Sequence, residues 1–203
     1  MPALTPQNDA VRAINVSASE VGALLGPHPY TNPQRIYDRL MGPAGSDSGQ
    51  TESMALGVFF ERRIAQYAAS RLGIRVRANS RTIAHPIVPL CATPDYIVLK
   101  QRMLVECKLS SIMYGWSEDD LAPHIEWQAR AQMACTDRDV CFIAALVGSK
   151  FYTIPVVRDH DKERTMLIAV ELFWAEHMYP GVRPPDPEIP HLRKITIEAS
   201  SKG

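Results

Sequence analysis

The sequence lacks the features that mark membrane, secreted and metal–thiolate proteins. No apolar run approaches the roughly 18 residues that a membrane-spanning helix requires. The first ten residues, MPALTPQNDA, contain no basic segment followed by an apolar one, so a secretory signal is not expected. The four cysteines form no C-x-x-C pair, which argues against a zinc ribbon or a thioredoxin motif. We therefore expect a cytoplasmic protein with reduced thiols.

A second metal-binding pattern is also missing. His85 and His124 have no second histidine or cysteine at the spacing that zinc ligands show on a helix or hairpin, so a zinc site is disfavoured. Cys91, Cys135 and Cys141 lie in apolar stretches and are expected in the core.

An excess of positive charge is absent as well. Lysine and arginine total 22, aspartate and glutamate total 22, and the formal net charge is zero. Bulk basicity therefore gives no argument for nucleic-acid binding, although a local basic groove is left open. Such a patch can contact phosphates, or it can be a solvated helix face and an exposed strand. The candidate patch contains Arg62, Arg63, Arg71, Arg75, Arg77 and Arg81.

The chain has the composition of an ordinary globular protein, 46% hydrophobic and 22% charged. It also shows a clear order of predicted helices and strands. Hydrophobic periodicity predicts helices near 17–26, 32–42, 52–72, 123–136 and 162–177, and strands near 74–78, 80–85, 95–100, 103–109, 140–147 and 151–157. We expect one domain over 1–203, with a loosely ordered N-terminus at 1–15 and an extended Pro-rich tail at 180–203. The order predicts a mixed α/β (α+β) fold with one central sheet flanked by helices.

Capping residues support the helix assignments. Ser17 or Ser19 can cap the helix at 17–26, and Asn32 followed by Pro33 can begin the next one. Gly73 directly follows the helix at 52–72, at the position where a left-handed residue ends many helices.

The stretch MLVECKLSS places two charges inside an apolar strand. Side chains alternate across a strand, so Glu106 and Lys108 share one face. If residues 99–102, LKQR, close a hairpin, Asp95 at the start of the preceding strand lies beside this pair. Two adjacent carboxylates repel, and a divalent cation such as Mg²⁺ or Mn²⁺ would neutralise both. A metal there would polarise a phosphate, and Lys108 would orient or deprotonate the attacking water.

An E-x-K pair taken alone is more often a solvated ion pair at a strand end than a catalytic site. The aspartate in TPDYIV, eleven residues before Glu106, shifts the balance toward a metal site without deciding it.

The motif TPDYIV…LVECK resembles the P-D…(D/E)-x-K signature of a large nuclease superfamily. Three further blocks, RAINVSASEVGALLG, ALGVFFERRIAQYAASRLGI and IEWQARAQMACT, resemble the YqaJ-like viral recombinase family in order and spacing. The resemblance covers about residues 12–136 and fades after about 160. It implies a restriction-endonuclease-like core, a central mixed β-sheet flanked by helices. The four cysteines lack the clustering that iron–sulfur nucleases of this superfamily need, so no iron–sulfur cluster is expected.

The resemblance also implies roles for particular residues. Asp95 and Glu106 match direct metal ligands, the Cys107 backbone carbonyl would complete the set, and Lys108 matches the catalytic lysine. Glu61 matches a helix glutamate that supports the metal, directly or through water, and Gln128 matches a glutamine that positions the attacking water. Arg12 and Ser19 match a pair that grips the 5′-phosphate of a DNA end, and Thr93 can join them.

Each of these helper residues has an ordinary alternative. Glu61 can be a solvated helix residue, Gln128 can hydrogen-bond a neighbour, Ser19 can be a helix cap, and Arg12 can be a surface charge. Tyr30, Tyr114 and Trp116 are candidates for stacking on bases, or for packing.

The expected function, by resemblance, is a Mg²⁺-dependent 5′→3′ exodeoxyribonuclease that digests one strand of linear duplex DNA and leaves 5′-phosphate products. The resemblance further implies a homotrimeric ring, a single-strand annealing protein as partner, and a phage or prophage source. Three alternatives are left open: an endonuclease of restriction or repair type with the same metal site, a non-catalytic DNA-binding module, and an enzyme acting on small phosphate esters.

Overall fold

The computed structural model describes residues 6–42 and 51–185. These ranges contain five α-helices and eight strands. The helices are α1 (Pro6–Ala13), α2 (Pro33–Met41), α3 (Glu52–Leu72), α4 (Pro123–Thr136) and α5 (His160–Phe173), with a 3₁₀ turn at Val21–Leu24 and a π-helical turn at Trp174–Met178. The strands are β1 (Val16–Ser17), β2 (Val76–Ala78), β3 (Ile83–Ala84), β4 (Leu90–Ala92), β5 (Tyr96–Val98), β6 (Met103–Ser110), β7 (Val140–Val147) and β8 (Lys150–Val157).

The main sheet has five strands in the order β2-β5-β6-β7-β8. β6 and β7 run parallel along all eight residues, and α4 makes the crossover between them. The other neighbours are antiparallel. The predicted mixed sheet flanked by helices is therefore confirmed.

The two faces of this sheet carry different helices. On β6, Val105 packs with Ile64, Ala65 and Ala68 of α3. Leu104, its neighbour, packs with α4 instead. Alternation along the strand consequently directs Glu106 and Lys108 toward the α4 side of the sheet.

A second, three-stranded sheet in the order β1-β4-β3 was not predicted, and the expectation of a single sheet was wrong. β1 runs parallel to β4, with Val16 opposite Leu90. Ala131, Ala134 and Cys135 of α4 pack into the same core cluster as this small sheet, while the opposite face of α4 packs on the main sheet. Strands of two or three residues are too short to show an alternating pattern.

The N-terminal segment also differs from the expectation. Residues 6–13 form α1, where a loosely ordered chain was expected through residue 15. The cause is tertiary: the buried Asn8 donates to the Ser80 carbonyl at 2.7 Å and accepts the Thr82 N–H at 2.9 Å. Neither contact can be inferred from local sequence.

The helix ends follow the capping residues in most cases. Asn32 accepts the Arg35 N–H at 2.9 Å, and Gly73 ends α3 with a φ of 65°. The predicted helix at 17–26 is instead the 3₁₀ turn at 21–24, whose cap residue Glu20 makes no side-chain capping bond. The connection at 43–50, and the Pro-rich tail from residue 186 onward, lie outside the described residues. No helix in the described ranges is long and apolar enough to cross a bilayer.

Candidate active site

The β5–β6 hairpin brings the three charged residues together. Tyr96 pairs with Val105 and Ile97 with Leu104, so Asp95 lies just beyond the end of this ladder, toward Glu106. The Asp95 Oδ2 atom accepts the Cys107 N–H at 2.8 Å. Because the N–H and C=O of one strand residue point the same way, the Cys107 carbonyl also faces the Asp95 side.

Glu106 is held on both carboxylate oxygens although only 3% of its surface is exposed. Its Oε1 accepts from Lys108 Nζ at 2.9 Å and from Gln128 Nε2 at 2.6 Å. Lys108 Nζ donates a second bond to Gln128 Oε1 at 2.8 Å. Glu106, Lys108 and Gln128 therefore form one closed hydrogen-bonded set between β6 and α4.

Gln132 belongs to the same network and was missed by the sequence analysis. Its Nε2 donates to Glu106 Oε2 at 2.7 Å, and its Oε1 accepts the Cys141 thiol at 3.7 Å. The side chain is 1% exposed. A signal existed, because residues four apart share one helix face and Gln132 is four residues after Gln128.

The carboxylates crowd one another. Burial raises the pKa of Asp95 well above its ordinary value of 3.8, and the charges of Glu106 and Glu61 add to the rise. Glu61, half-buried on α3, is thus close enough for its charge to affect Asp95. Burial lowers the pKa of Lys108, but Glu106 and Asp95 outweigh it, so the net shift is upward. Lys108 is thus a protonated hydrogen-bond donor.

The donor set fits a hard divalent cation. Two buried carboxylates and a backbone carbonyl are the oxygen ligands that Mg²⁺ and Mn²⁺ prefer. A cation would also relieve the repulsion that raises the pKa of Asp95. Within residues 6–42 and 51–185, no three His, Cys, Asp or Glu side chains form a ready ligand cluster. A metal at this site would therefore use the Cys107 carbonyl and water besides the two carboxylates.

A small cavity of about 50 Å³ brings together all three residues matched to 5′-phosphate binding: Arg12, Ser19 and Thr93. They come from the end of α1, the turn after β1 and the residue after β4, and the parallel β1–β4 pairing draws these segments together. Gln128 and Gln132 complete the wall toward Glu106. The cavity is lined by one arginine and three hydroxyl residues, Ser17, Ser19 and Thr93, and such a set of donors suits an anion.

Arg39 fixes the backbone around this cavity, a contribution the sequence analysis did not foresee. Its guanidinium donates to the carbonyls of Arg12 and Asn15 at 2.7 and 3.0 Å. It also bonds both Glu20 oxygens at 2.8 and 2.7 Å, and Glu20 in turn accepts the Ser17 N–H at 3.0 Å. Such a bidentate, partly buried pair is geometrically specific.

A larger pocket of about 540 Å³ opens on the other side of Lys108 and Gln128. It contains the three aromatic candidates, with Trp116 buried and its Nε1 donating to the Ile112 carbonyl at 2.7 Å. Tyr30 and Tyr114 are 68% and 79% exposed at its rim.

The remaining candidates lie elsewhere. The six arginines between 62 and 81 are exposed on α3 and around β2. The His85 Nδ1 accepts the N–H groups of Ile87 and Val88, as expected for a strand-end residue. Cys91, Cys135 and Cys141 are free and buried, as predicted.

Comparison with known proteins gives a family and three similar structures. The profile of the YqaJ-like viral recombinase domain matches residues 9–139, which contain the site from Arg12 to Gln132. An alkaline exonuclease from Laribacter hongkongensis, LHK-Exo, is 18% identical with a TM-score of 0.68, and its complex with dAMP gives 18% and 0.69; both comparisons cover 98% of this chain and 100% of the other. A phage-related exonuclease from Haemophilus somnus 129PT is 12% identical with a TM-score of 0.61, covering 83% of this chain and 96% of its own. A search of curated proteins finds no match.

Proposed function

Because this chain belongs to the YqaJ-like viral recombinase family, we propose that it is a Mg²⁺-dependent 5′→3′ exodeoxyribonuclease that digests one strand of linear duplex DNA. The single observation that carries the proposal is the hydrogen-bonded set of Glu106, Lys108 and Gln128, with Asp95 bonded to the next backbone N–H of the same strand, near a cavity lined by Arg12, Ser19 and Thr93. The similarity to the structures of an alkaline exonuclease and a phage-related exonuclease supports it.

The side chains divide the chemistry among them. Asp95, Glu106 and the Cys107 carbonyl would hold Mg²⁺, or Mn²⁺ in its place, and such an ion would supply Lewis-acid polarisation of the scissile phosphate and lower the pKa of water there. The ammonium of Lys108, kept protonated by its carboxylate neighbours, donates to the attacking water or to a phosphate oxygen as negative charge develops there. The Gln128 amide, anchored to Glu106 and Lys108, orients that water for in-line attack.

The small cavity determines which DNA is cut. Arg12, Ser19 and Thr93 bind the phosphate at a 5′ end, so the first phosphodiester of that strand lies at Lys108. A closed circle offers no such group. Hydrolysis leaves the next nucleotide with a 5′-phosphate, which regenerates the substrate for another cycle.

The biological setting follows from the family. We propose a phage or prophage origin and action in the bacterial cytoplasm, where the 3′ overhang is passed to a single-strand annealing protein. We also propose a ring of three subunits around the DNA. In that arrangement the exposed arginines of the neutral chain would contact phosphates inside the ring.

The decisive experiment digests linear duplexes carrying 5′-phosphate or 5′-hydroxyl ends, with Mg²⁺ or with a chelator, beside a closed circular control. We expect Mg²⁺-dependent loss of the 5′-phosphorylated strand, slower digestion from a 5′-hydroxyl, and an intact circle. Lys108→Ala and Asp95→Asn should abolish the reaction while remaining folded, and Lys150→Ala, at an exposed position at the start of β8, should not. Cutting of the circle would instead establish an endonuclease.

A further inference from the structure

The 540 Å³ pocket beside Lys108 has the size and walls of a small-molecule site, since such sites span roughly 300–1,000 Å³. Its aromatic and imidazole rings come from three separate segments: His28 and Tyr30, Tyr114 and Trp116, and His124. Lys108 and Gln128 form the wall toward the carboxylates.

The pocket and the small phosphate cavity share two wall residues, Ser19 and Gln128. The cavity, at about 50 Å³, accepts a phosphate group but not a nucleobase. In a DNA strand, one nucleoside separates the 5′-phosphate from the first phosphodiester. If the phosphate occupies the cavity and the phosphodiester lies at Lys108, the nucleoside between them must lie against Ser19 and Gln128, where the larger pocket opens.

The aromatic wall is preformed. The His28 Nδ1 accepts the N–H groups of Tyr30 and Thr31, each at 3.2 Å, so its other nitrogen, Nε2, donates to the Ser19 carbonyl at 3.1 Å. The His124 ring meets those of His28 and Tyr30 edge to face, with centroids 5.3 and 5.8 Å apart. The His28 imidazole thus connects the pocket wall to Ser19, which also lines the small cavity.

Gly22 allows this wall to close on α4. A Cβ at residue 22 would lie 3.3 Å from His124 Cα and 3.4 Å from His28 Cδ2. A side chain at residue 22 would push the two histidines apart. Because glycine has no side chain, the pocket stays narrow.

We propose that this pocket binds the 5′-terminal nucleoside of the DNA strand, with its base stacked against Tyr30 and Tyr114, a role that rests on the proposed function. Both rings are largely exposed, so each has a face to offer. Stacking on aromatic rings is tolerant of sequence because every base has a π-face. The pocket therefore selects an unpaired terminal nucleoside rather than a particular base.

The reaction at this position is balanced. A water oxygen forms a bond to the first phosphodiester phosphorus, and the bond from that phosphorus to the 3′ oxygen of the terminal nucleoside breaks. The attacking water gives up one proton to solvent, the 3′ oxygen takes one from solvent, and a nucleoside 5′-monophosphate leaves from the pocket and the cavity together. The remaining strand keeps the new 5′-phosphate.

The kinetic test compares two 5′-phosphorylated duplexes that differ only in the first residue of the digested strand, a normal nucleotide or an abasic tetrahydrofuran. We expect the wild-type chain to remove the normal nucleotide about tenfold faster at subsaturating DNA, the scale of one base–aromatic stack. A double variant, Tyr30→Ala with Tyr114→Ala, should reduce this ratio to within about twofold, mainly by slowing the normal substrate. Tyr30→Phe with Tyr114→Phe keeps both rings and should keep the ratio.

Tyr179→Ala is the matched control, because Tyr179 is 76% exposed and does not line the pocket. It should leave the ratio unchanged. A binding assay gives a second readout without turnover: in chelator, calorimetry should show the wild-type chain binding dAMP about tenfold more tightly than 2-deoxyribose 5-phosphate, and the Tyr→Ala double variant losing the difference.

The two proposals fail differently. If the wild-type chain digests both duplexes at equal rates, or binds both small phosphates equally, the nucleoside site is refuted and the exonuclease stands. If it digests neither duplex under conditions where Mg²⁺ is bound, the exonuclease itself is refuted.

Discussion

Asp95 is deeply buried and lies in the negative field of two other carboxylates. Neither condition stabilises the folded state when Asp95 is ionised. Its raised pKa means that the folded state resists ionisation of this side chain. Below the ordinary pKa of 3.8, the side chain is protonated in both the folded and unfolded states and the effect vanishes. Above the raised pKa, ionised Asp95 destabilises the folded state. The residue therefore costs stability at neutral pH in the metal-free protein.

Asp95→Asn should consequently raise the melting temperature at pH 8 in chelator by at least about 2 °C, roughly the effect of 1 kcal/mol in a chain of this length. The gain should shrink as the pH falls toward 4. Added Mg²⁺ should raise the melting temperature of the wild-type chain more than that of the variant, because a ligand stabilises the state that binds it. Differential scanning fluorimetry measures both. A variant less stable than wild type at pH 8 would contradict this account.

Gln132 acts on the site through Glu106. Gln132→Leu removes the donor to Glu106 Oε2 and leaves that oxygen unpaired beside Cys141. Loss of such outer partners commonly weakens a metal site 10- to 100-fold. We expect the Mg²⁺ concentration for half-maximal rate to rise by about tenfold or more, and the Mg²⁺-dependent thermal shift to need correspondingly more metal.

Gln66→Leu, on an exposed part of α3, is the matched control and should leave the Mg²⁺ dependence unchanged. An unchanged midpoint in Gln132→Leu would remove Gln132 from the site.

At the scale of elements, the eight-residue β6 could be predicted because its alternation is long enough to read, and it put Glu106 and Lys108 on one face. The hairpin that brings Asp95 beside Glu106 was predicted from the single turn at residues 99–102. β1 and β4 were not predicted, because they are short and pair with each other across more than 70 residues of sequence. Arg39 was missed for a related reason, because its partners lie 19 to 27 residues away in sequence. Gln132 bonds Glu106, 26 residues away, and only its four-residue spacing from Gln128 could have indicated it.

The end of α3 offers a test of the element that carries Glu61. Gly73 ends this helix with a φ of 65°, a conformation that costs a residue with a Cβ about 1 kcal/mol or more. Gly73→Ala should lower the melting temperature by about 2–4 °C with little change in activity at 25 °C. Gly26→Ala is the control: an added Cβ there meets nothing within 4 Å and the φ is not positive, so the melting temperature should hold. Equal losses of melting temperature in the two variants would show that the positive φ of Gly73 is not the cause.

At the scale of the whole molecule, the first half of α3 is exposed and apolar. Met54, Leu56, Val58 and Phe59 are 57, 45, 40 and 75% exposed. Apolar side chains in such a run are typical of protein interfaces. If the chain forms the proposed ring of three, this surface is the part of the described chain best suited to lie between subunits.

Light scattering after size exclusion should therefore give three times the chain mass of 22.6 kDa. Phe59→Ser should shift the population toward smaller species, whereas Ile87→Ser, at a residue 85% exposed in a different segment, should not. A wild-type mass equal to one chain would contradict the ring.

Ser19 and Gln128 each line both the 540 Å³ pocket and the 50 Å³ cavity. Sharing these two residues limits how the enzyme can be altered. If the proposed sites are right, a substitution at either residue should change binding of the 5′-phosphate and of the adjoining nucleoside together, so neither property could be altered separately through them. Tyr30 and Tyr114 line the pocket only. Libraries that vary these two tyrosines and keep the shared pair would change the preference among damaged or modified termini while the hydrolytic machinery stays intact.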